Sequence, residues 1–265
     1  MIGELLEFPS ADPSAVRVLL CDADGTLFDS EGLAFEASTE VTNDLLATWG
    51  VDRRFTADEL RRHALGRNFR SVARELADAC GTTLDAEALE HWVGIEREAV
   101  VARLTSALRP APAVGDALAV LAPVARLAIV TSSARRRLDA CLRAAALEDH
   151  FAGDVRFSAE DSLPRPTTKP DPAIYRFACE QLAVVPDAAW AVEDAVAGVR
   201  SAVAAGIVTI GNLHFVPPDE QDERAADLRA AGASAIVPTW FHLVGLLGAS
   251  RRTSRAPRVQ DVEAS

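Results

Sequence analysis

Five short apolar segments, separated by helical patterns, constrain the fold of this chain more than any other feature. They cover residues 16–22, 125–131, 188–194, 206–211 and 234–238. Continuous apolar runs of this length are typical of strands that are buried on both faces of a parallel sheet. Strands that alternate with helices are joined by right-handed crossovers. The sequence therefore predicts an α/β fold with a doubly wound, Rossmann-like parallel sheet.

The stretch between the first two apolar segments has a different pattern. It contains no buried-strand signal and predicts four helices, at 31–49, 56–64, 68–80 and 85–107. The segment RPAPAVG at 109–115 then breaks the chain with two prolines and a glycine. We expect an all-helical cap domain on two linkers, near 29–33 and 108–114, which permit hinge motion over the strand ends.

The expected domain boundaries follow from these two patterns. The α/β core comprises residues 15–30 and 112–248, and the cap comprises residues 31–111. Residues 1–14 are expected to be an N-terminal extension. Residues 249–265 are rich in Arg and Ser and lack apolar periodicity, so we expect a disordered tail there.

Composition argues against several classes of function. The net charge of −12 disfavours binding to nucleic acid or to an anionic membrane by general attraction. The chain shows no signal peptide and no apolar segment long enough to span a bilayer. Its four cysteines form no Cys-x-x-Cys pair that would indicate a zinc site. We expect a soluble cytoplasmic protein, and the sequence leaves its oligomeric state open.

The first apolar segment ends in two closely spaced acids, in the sequence CDADGTLFDSE. Side chains alternate along a strand, so Asp22 and Asp24 point the same way where the extended geometry persists. Such a pair repels itself unless a cation neutralises it or a proton is shared, and hard oxygen ligands suit Mg²⁺. Gly25 would let backbone N–H groups approach an anion closely. The alternative is an ordinary Asp-Gly turn after a strand.

Two further features point to the same edge of the sheet. Ligands of doubly wound sheets bind at the carboxyl ends of the strands, where Asp22, Thr131 and Asp194 are expected to meet. Lys169 is the only lysine among 27 basic residues. A chain that uses arginine everywhere else has no general need for an ammonium group, so a local chemical role is indicated.

The segment CDADGTLFDSE resembles the first motif of the haloacid dehalogenase superfamily, in the branch of phosphatases with a helical cap. Three further motifs of that family match in the same order along the chain. They are Thr131 in LAIVTSS, Lys169 in KPDPAIYRF, and the pair Glu193 and Asp194 in AVEDAVAGVRSAVAAG. One departure is Ala195, where relatives often carry Ser or Thr.

The resemblance implies a mechanism. Asp22 would be the nucleophile that forms an aspartyl-phosphate, and Asp24 would protonate the leaving alcohol and then activate water. Mg²⁺ would be bound by the Asp22 carboxylate, the Asp24 backbone carbonyl and Asp194, with Glu193 holding a metal-bound water. The residues implied to bind the phosphoryl group are Gly25, Thr131, Ser132 and Lys169. An alternative interpretation, compatible with the first, is that Ser133 caps a helix over 134–146 and that Thr131 and Ser132 are turn residues.

The sequence predicts hydrolysis of a small phosphorylated metabolite, such as a sugar phosphate or phosphoglycolate. Arg67 and Arg70 in the cap are candidates for substrate contacts, or else simply solvated. The nearest alternative is a hexose-phosphate mutase similar to β-phosphoglucomutase. That enzyme carries a His four residues after the position of Ser30, where this chain has Ala34.

The motifs fit several further classes of protein less well. A catalytically silent interaction protein of the same fold stays open, because only an assay separates it from an enzyme. Dehalogenases lack an acid at the position of Asp24, and phosphonatases use a cap lysine that this chain lacks. Receiver modules have no place for the helical insert.

Overall fold

The structure is a computed structural model that describes residues 12–64 and 68–254. The described residues contain a six-stranded sheet in the order β3-β2-β1-β4-β5-β6, and every neighbouring pair is parallel. The strands are β1 Val18–Cys21, β2 Arg126–Thr131, β3 Arg156–Ser158, β4 Ala189–Glu193, β5 Val208–Asn212 and β6 Ala235–Val237. The predicted doubly wound parallel sheet is confirmed.

Helices separate the strands and fill the stretch after β1. They are α1 Glu31–Thr48, α2 Ala57–His63, α3 Phe69–Ala79, α4 Ala86–Ala107, α5 Pro112–Leu121, α6 Arg135–Ala144, α7 Ala173–Gln181, α8 Val196–Ala204, α9 Gln221–Ala230 and α10 Trp240–Ser254. In the described residues, no helix has both the length and the apolar character needed to cross a membrane.

The central strand, β1, decides where the site forms. All four of its residues are buried, and it pairs with β2 on one side and β4 on the other. The chain builds β2 and β3 on the first side and β4, β5 and β6 on the second. A crevice opens at such a switch point, beyond the carboxyl ends of the strands.

The sequence analysis did not predict β3. This strand is only three residues long, lies at the edge of the sheet and pairs with β2 alone among the described strands. Its first residue is Arg156, whose guanidinium donates to the carbonyl oxygen of Phe151 at 2.6 Å. A charged residue at the first position shortens the apolar run, which is the pattern by which the other strands were predicted.

Helices α1 to α4 form the inserted cap, and each lies within one residue of its predicted bounds at both ends. The Asp85 side chain accepts the N–H of Ala88 at 2.8 Å and so caps α4, as expected. The cap has an apolar cluster of its own, formed by Leu46, Phe55, Leu60, Ala64, Val72 and Leu76. Val100 and Leu104 of α4 instead belong to the main core, so α4 anchors the cap to the sheet domain.

The last helix extends further than expected. The tail was predicted to begin at residue 249, but α10 continues to Ser254. The physical reason is that residues 249–254 contain no glycine or proline, so nothing ends the helix there. Residues 255–265 and the predicted extension before residue 12 lie outside the described residues. The domain boundaries themselves stay a prediction.

Trp240 connects the last helix to the loop after β1 through a hydrogen bond. Its ring is fully buried, and Nε1 donates to the carbonyl oxygen of Thr26 at 3.0 Å. We expect Trp240→Phe to lower the free energy of unfolding by about 1–3 kcal/mol, because the buried carbonyl loses its partner. Urea unfolding measures this. Phe241→Ala is the control, since Phe241 is exposed, and an equal effect of the two substitutions would contradict the prediction.

Candidate active site

The carboxyl ends of β1, β2 and β4 meet at one edge, as the sequence predicted. Asp22 directly follows β1, Thr131 ends β2, and Glu193 ends β4 with Asp194 behind it. The register places Cys21 opposite both Ile129 and Val192, so the three strands end almost level. All four polar side chains are buried.

Lys169 enters this edge from the segment before α7. Its Nζ donates to Asp22 Oδ1 at 2.5 Å, Glu193 Oε1 at 2.6 Å and the carbonyl oxygen of Val130 at 2.8 Å. These three bonds use all three donors of the ammonium group. Burial alone would lower the pKa of Lys169, but the two carboxylates outweigh it and raise the pKa above its ordinary value, so the side chain is charged.

Asp22, Glu193 and Asp194 form an acidic cluster in which one oxygen of each lies within 4.8 Å of the others. Burial raises the pKa of all three carboxyls, and repulsion from Asp22 adds to the effect at the other two. The pKa of Glu193 rises to about 8 and that of Asp194 to about 7. One ammonium group therefore does not neutralise the cluster.

The cluster fits a divalent cation. Carboxylate oxygens are the hard ligands that Mg²⁺ takes. Oε2 of Glu193 is buried and has no hydrogen-bond partner among the described residues, whereas Oε1 also accepts the Tyr175 hydroxyl at 2.5 Å. A buried oxygen of this kind needs a water or an ion to satisfy it. These three acids are the residues that could hold a metal.

Two glycines make room for the acids. Gly25 has a φ of +82°, and a Cβ there would lie 2.3 Å from Asp194 Oδ2. A Cβ at Gly198 would lie 1.9 Å from Glu193 Oε2. Gly25 was also predicted to bind phosphate, and in the structure its N–H donates to the carbonyl oxygen of Phe28 at 2.8 Å. Its positive φ and the space that it leaves for Asp194 explain why glycine stands there.

Asp194 is oriented by two residues that lie far from Ala195 in the sequence. Thr26 Oγ1 donates to Asp194 Oδ1 at 2.8 Å, and Arg224 Nη1 donates to the Asp194 carbonyl oxygen at 3.0 Å. The acid therefore has a hydroxyl donor although residue 195 is alanine. Sequence analysis missed this because Thr26 and Asp194 are 168 positions apart.

The second carboxylate of the first motif, Asp24, lies apart from the acidic cluster. Ser30 Oγ and Arg137 Nη2 both donate to its Oδ1 at 2.7 Å, and Ser133 Oγ donates to its Oδ2 at 2.7 Å. Burial acts to raise the pKa of Asp24. Arg137 and the hydrogen bonds together outweigh burial and hold the pKa below its ordinary value.

The side chains of the two serines after Thr131 make contacts that the sequence did not predict. Ser132 Oγ accepts the backbone N–H of Lys169 at 3.1 Å and so helps to place the lysine. Ser133 does not cap α6, so the alternative interpretation of this motif as a helix cap is wrong. The N-cap of α6 is Ala134, which has no side-chain cap bond, because the Ser133 hydroxyl turns to Asp24. Thr131 Oγ1 accepts the Ser133 N–H at 3.0 Å, and its own proton is left to donate.

A cavity of about 820 Å³ opens between the cap and the sheet domain. Ser132, Ser133 and Arg137 line its core side, next to Asp24. Arg70 lines the cap side, but it forms an ion pair with Glu90, in which Nη2 lies 2.9 Å from Oε2. The other predicted cap contact, Arg67, lies outside the described residues.

Comparison with known proteins places this geometry in a family. The family model described as haloacid dehalogenase-like hydrolase matches residues 16–206. The chain belongs to this family. It is an enzyme of the haloacid dehalogenase superfamily, a phosphoric monoester hydrolase, as its motifs predict.

Individual relatives cover nearly the whole hydrolase. It is 33% identical to a phosphorylated carbohydrates phosphatase of Thermotoga maritima, over 84% of this chain and 94% of that protein. It is 30% identical to the protein CbbY of Cereibacter sphaeroides, over 88% and 96%. A crystal structure of a CbbY variant from Rhodobacter sphaeroides, in complex with xylulose-(1,5)-bisphosphate, superposes with a TM-score of 0.64 at 26% identity, covering 85% of this chain and 95% of that one.

Gly198 gives a direct test of the packing around the acids. We expect Gly198→Ala to lower the free energy of unfolding of the hydrolase by about 1–3 kcal/mol, because the new methyl group displaces the Glu193 carboxylate. Gly94→Ala in α4 is the matched control. A Cβ there meets no atom within 4 Å, so the unfolding free energy should rise by about 0.5–1 kcal/mol. Stabilisation by both substitutions would contradict the assignment.

Proposed function

We propose that the hydrolase is a Mg²⁺-dependent phosphatase that acts on a small phosphorylated sugar or a similar metabolite through an aspartyl-phosphate on Asp22. The observation that carries this proposal is the buried contact of Lys169 with Asp22 inside the acidic cluster. A nucleophilic carboxylate, a fixed cation and a set of metal ligands are what phosphoryl transfer requires. The cytoplasmic location expected from the sequence belongs to this proposal.

The reaction has two steps. In the first, a carboxylate oxygen of Asp22 bonds to phosphorus while the bond from phosphorus to the leaving oxygen breaks, and Asp24, which has to carry a proton in the substrate complex, gives that proton to the leaving oxygen. In the second, water attacks the phosphorus while the bond from phosphorus to the Asp22 oxygen breaks, and the water gives a proton to Asp24. Orthophosphate leaves, and both carboxyl groups return to their starting states.

The other groups of the site hold charge and orientation. Lys169 would stabilise the charge of the transferring group, and the Thr131 hydroxyl and the Ser132 N–H would donate to its oxygens. When it is bound by Asp22, Asp194 and the Asp24 carbonyl, Mg²⁺ would neutralise further charge on that group, with Glu193 holding a metal-bound water.

The substrate class is supported by the cavity and by the relatives. A volume of about 820 Å³ lies within the range of small-molecule sites. Relatives are named as a phosphatase of phosphorylated carbohydrates and as CbbY, and one CbbY structure holds a sugar bisphosphate. Arg70 and Arg67 stay candidates for substrate contacts, although Arg70 would first have to leave Glu90.

Hydrolysis is favoured over mutase chemistry by the cap side of the cavity. Ala34 lines this cavity at the position where a β-phosphoglucomutase-like enzyme carries its His. A methyl group cannot transfer a proton to or from a sugar hydroxyl. Water is then the acceptor that the site can activate, through Asp24.

Phosphate release tests the proposed function. We expect the wild type to release phosphate from members of a panel of sugar phosphates and phosphoglycolate when Mg²⁺ is present, and to stop when a chelator is added. Asp22→Asn should abolish release, because an amide cannot form the acyl phosphate. A folded wild type that releases phosphate from no compound would overturn the proposal and favour a mutase or a silent interaction protein.

Lys169→Arg tests why lysine stands at this position. We expect kcat to fall by about 100- to 1000-fold, the size of effect seen when one electrostatic donor of a transition state is lost. A planar guanidinium cannot direct donors from one nitrogen to the three acceptors that Nζ reaches. Lys169→Met is the comparison, and an arginine variant with nearly full kcat would show that charge alone suffices.

A further inference from the structure

Three side chains donate hydrogen bonds to Asp24, and of these only Arg137 lies outside the four motifs. It belongs to the first turn of α6, lines the cavity, and places Nη2 2.7 Å from Asp24 Oδ1. Its side chain is 25% exposed, and its Nε is buried without a hydrogen-bond partner among the described residues. Nothing in the sequence patterns marked it, because it stands within a run of three arginines.

The three arginines at the start of α6 differ in what they contact. Arg135 donates to the carbonyl oxygens of Arg156 and Gly153, both at 2.8 Å, and so holds neighbouring loops in place. Arg136 is exposed. Arg137 alone of the three reaches a group that the proposed reaction uses.

The donors to Asp24 come from three separate parts of the chain. Ser30 lies in the linker before α1, Ser133 in the loop after β2, and Arg137 on α6. A carboxylate has about four acceptor positions, so three are filled and about one is left. Orientation of the group is therefore fixed, and the remaining position is the one through which it can exchange a proton.

A purely structural role does not account well for this arginine. Burying a guanidinium with a carboxylate seldom stabilises a protein more than an apolar pair of similar volume. The neighbouring Cys141 thiol provides no charge, because burial raises its pKa to about 12. Within the described residues, Asp24 is the only carboxylate in ion-pair contact with Arg137.

We propose that Arg137 is a positioning residue for proton transfer, which holds the Asp24 carboxylate at the place where it meets the leaving oxygen. This inference rests on the proposed function. In the first step the proton passes from Asp24 to the leaving oxygen as the bond from that oxygen to phosphorus breaks. A misplaced carboxylate therefore slows the step only when the leaving oxygen needs that proton.

Substrates with different leaving groups separate this role from simple support of the fold. A sugar alkoxide is a poor leaving group and needs protonation, whereas p-nitrophenolate leaves readily without it. Loss of Arg137 should therefore harm turnover of sugar phosphates far more than turnover of p-nitrophenyl phosphate. A residue that only supports the fold would affect both substrates alike.

The experiment compares Arg137→Ala, Arg137→Lys and the control Arg136→Ala with the wild type. Each variant is assayed with p-nitrophenyl phosphate and with the sugar phosphate of the panel that turns over fastest. We expect Arg137→Ala to lower kcat on the sugar phosphate by about 10- to 100-fold, with KM and the aryl phosphate kcat changed by less than about threefold. Arg137→Lys should recover part of the loss, and Arg136→Ala should match the wild type.

Several outcomes would overturn the inference. Equal losses on both substrates, together with a lower melting temperature, would assign Arg137 to the fold alone. Unchanged kcat on both substrates would leave it without a role. If Arg137→Ala does not fold, the same comparison is made with Arg137→Lys. Equal losses of kcat on the sugar phosphate and on p-nitrophenyl phosphate would then overturn the inference. A folded wild type that hydrolyses neither substrate would instead overturn the proposed function, and this inference with it.

Discussion

One buried ammonium group joins the three central strands at their functional edge. From a single nitrogen, Lys169 reaches Asp22 after β1, the Val130 carbonyl in β2 and Glu193 at the end of β4. Each contact is 2.5–2.8 Å long, and the side chain is only 6% exposed. Removing one partner of such a buried pair leaves a charge without compensation and costs about 3–5 kcal/mol. The arrangement of the edge therefore depends on this one residue.

The same edge carries more negative charge than the lysine balances. When they are ionised, the three buried acids and one ammonium group leave a net charge of −2, which is the charge that a divalent cation would neutralise. Burial, together with repulsion from Asp22, raises the pKa of Glu193 to about 8 and that of Asp194 to about 7. Gly25 and Gly198 leave the space that the crowded carboxylates occupy. Lys169 thus supplies positive charge to the cluster, and the two glycines supply the space that its carboxylates need.

How much of this could be predicted depends on whether a feature is local in sequence. Five of the strands, the cap helices and the meeting of Asp22, Thr131 and Asp194 follow from apolar runs, periodicity and sheet topology. The place of Lys169 followed instead from the resemblance to a family. Contacts between distant residues did not show in the sequence. Thr26 donates to Asp194, 168 residues away, and Ser133 bonds Asp24 instead of the N-terminus of α6. These residues meet only because the fold brings them together, so a local sequence pattern cannot predict their contacts.

The two carboxylates of the first motif are held by different kinds of contact. Asp22 accepts a hydrogen bond from a buried lysine of the sheet domain. One of the donors to Asp24 is instead Ser30, which lies in the linker to the cap. At the rim, the ion pairs that join cap and core, Arg61–Glu220 and Arg97–Glu160, are partly exposed. Exposed pairs contribute only about 0–1 kcal/mol each, so separating them costs little. These rim pairs are separate from the contacts of the acidic cluster, whereas Asp24 is bonded to a residue of the cap linker itself.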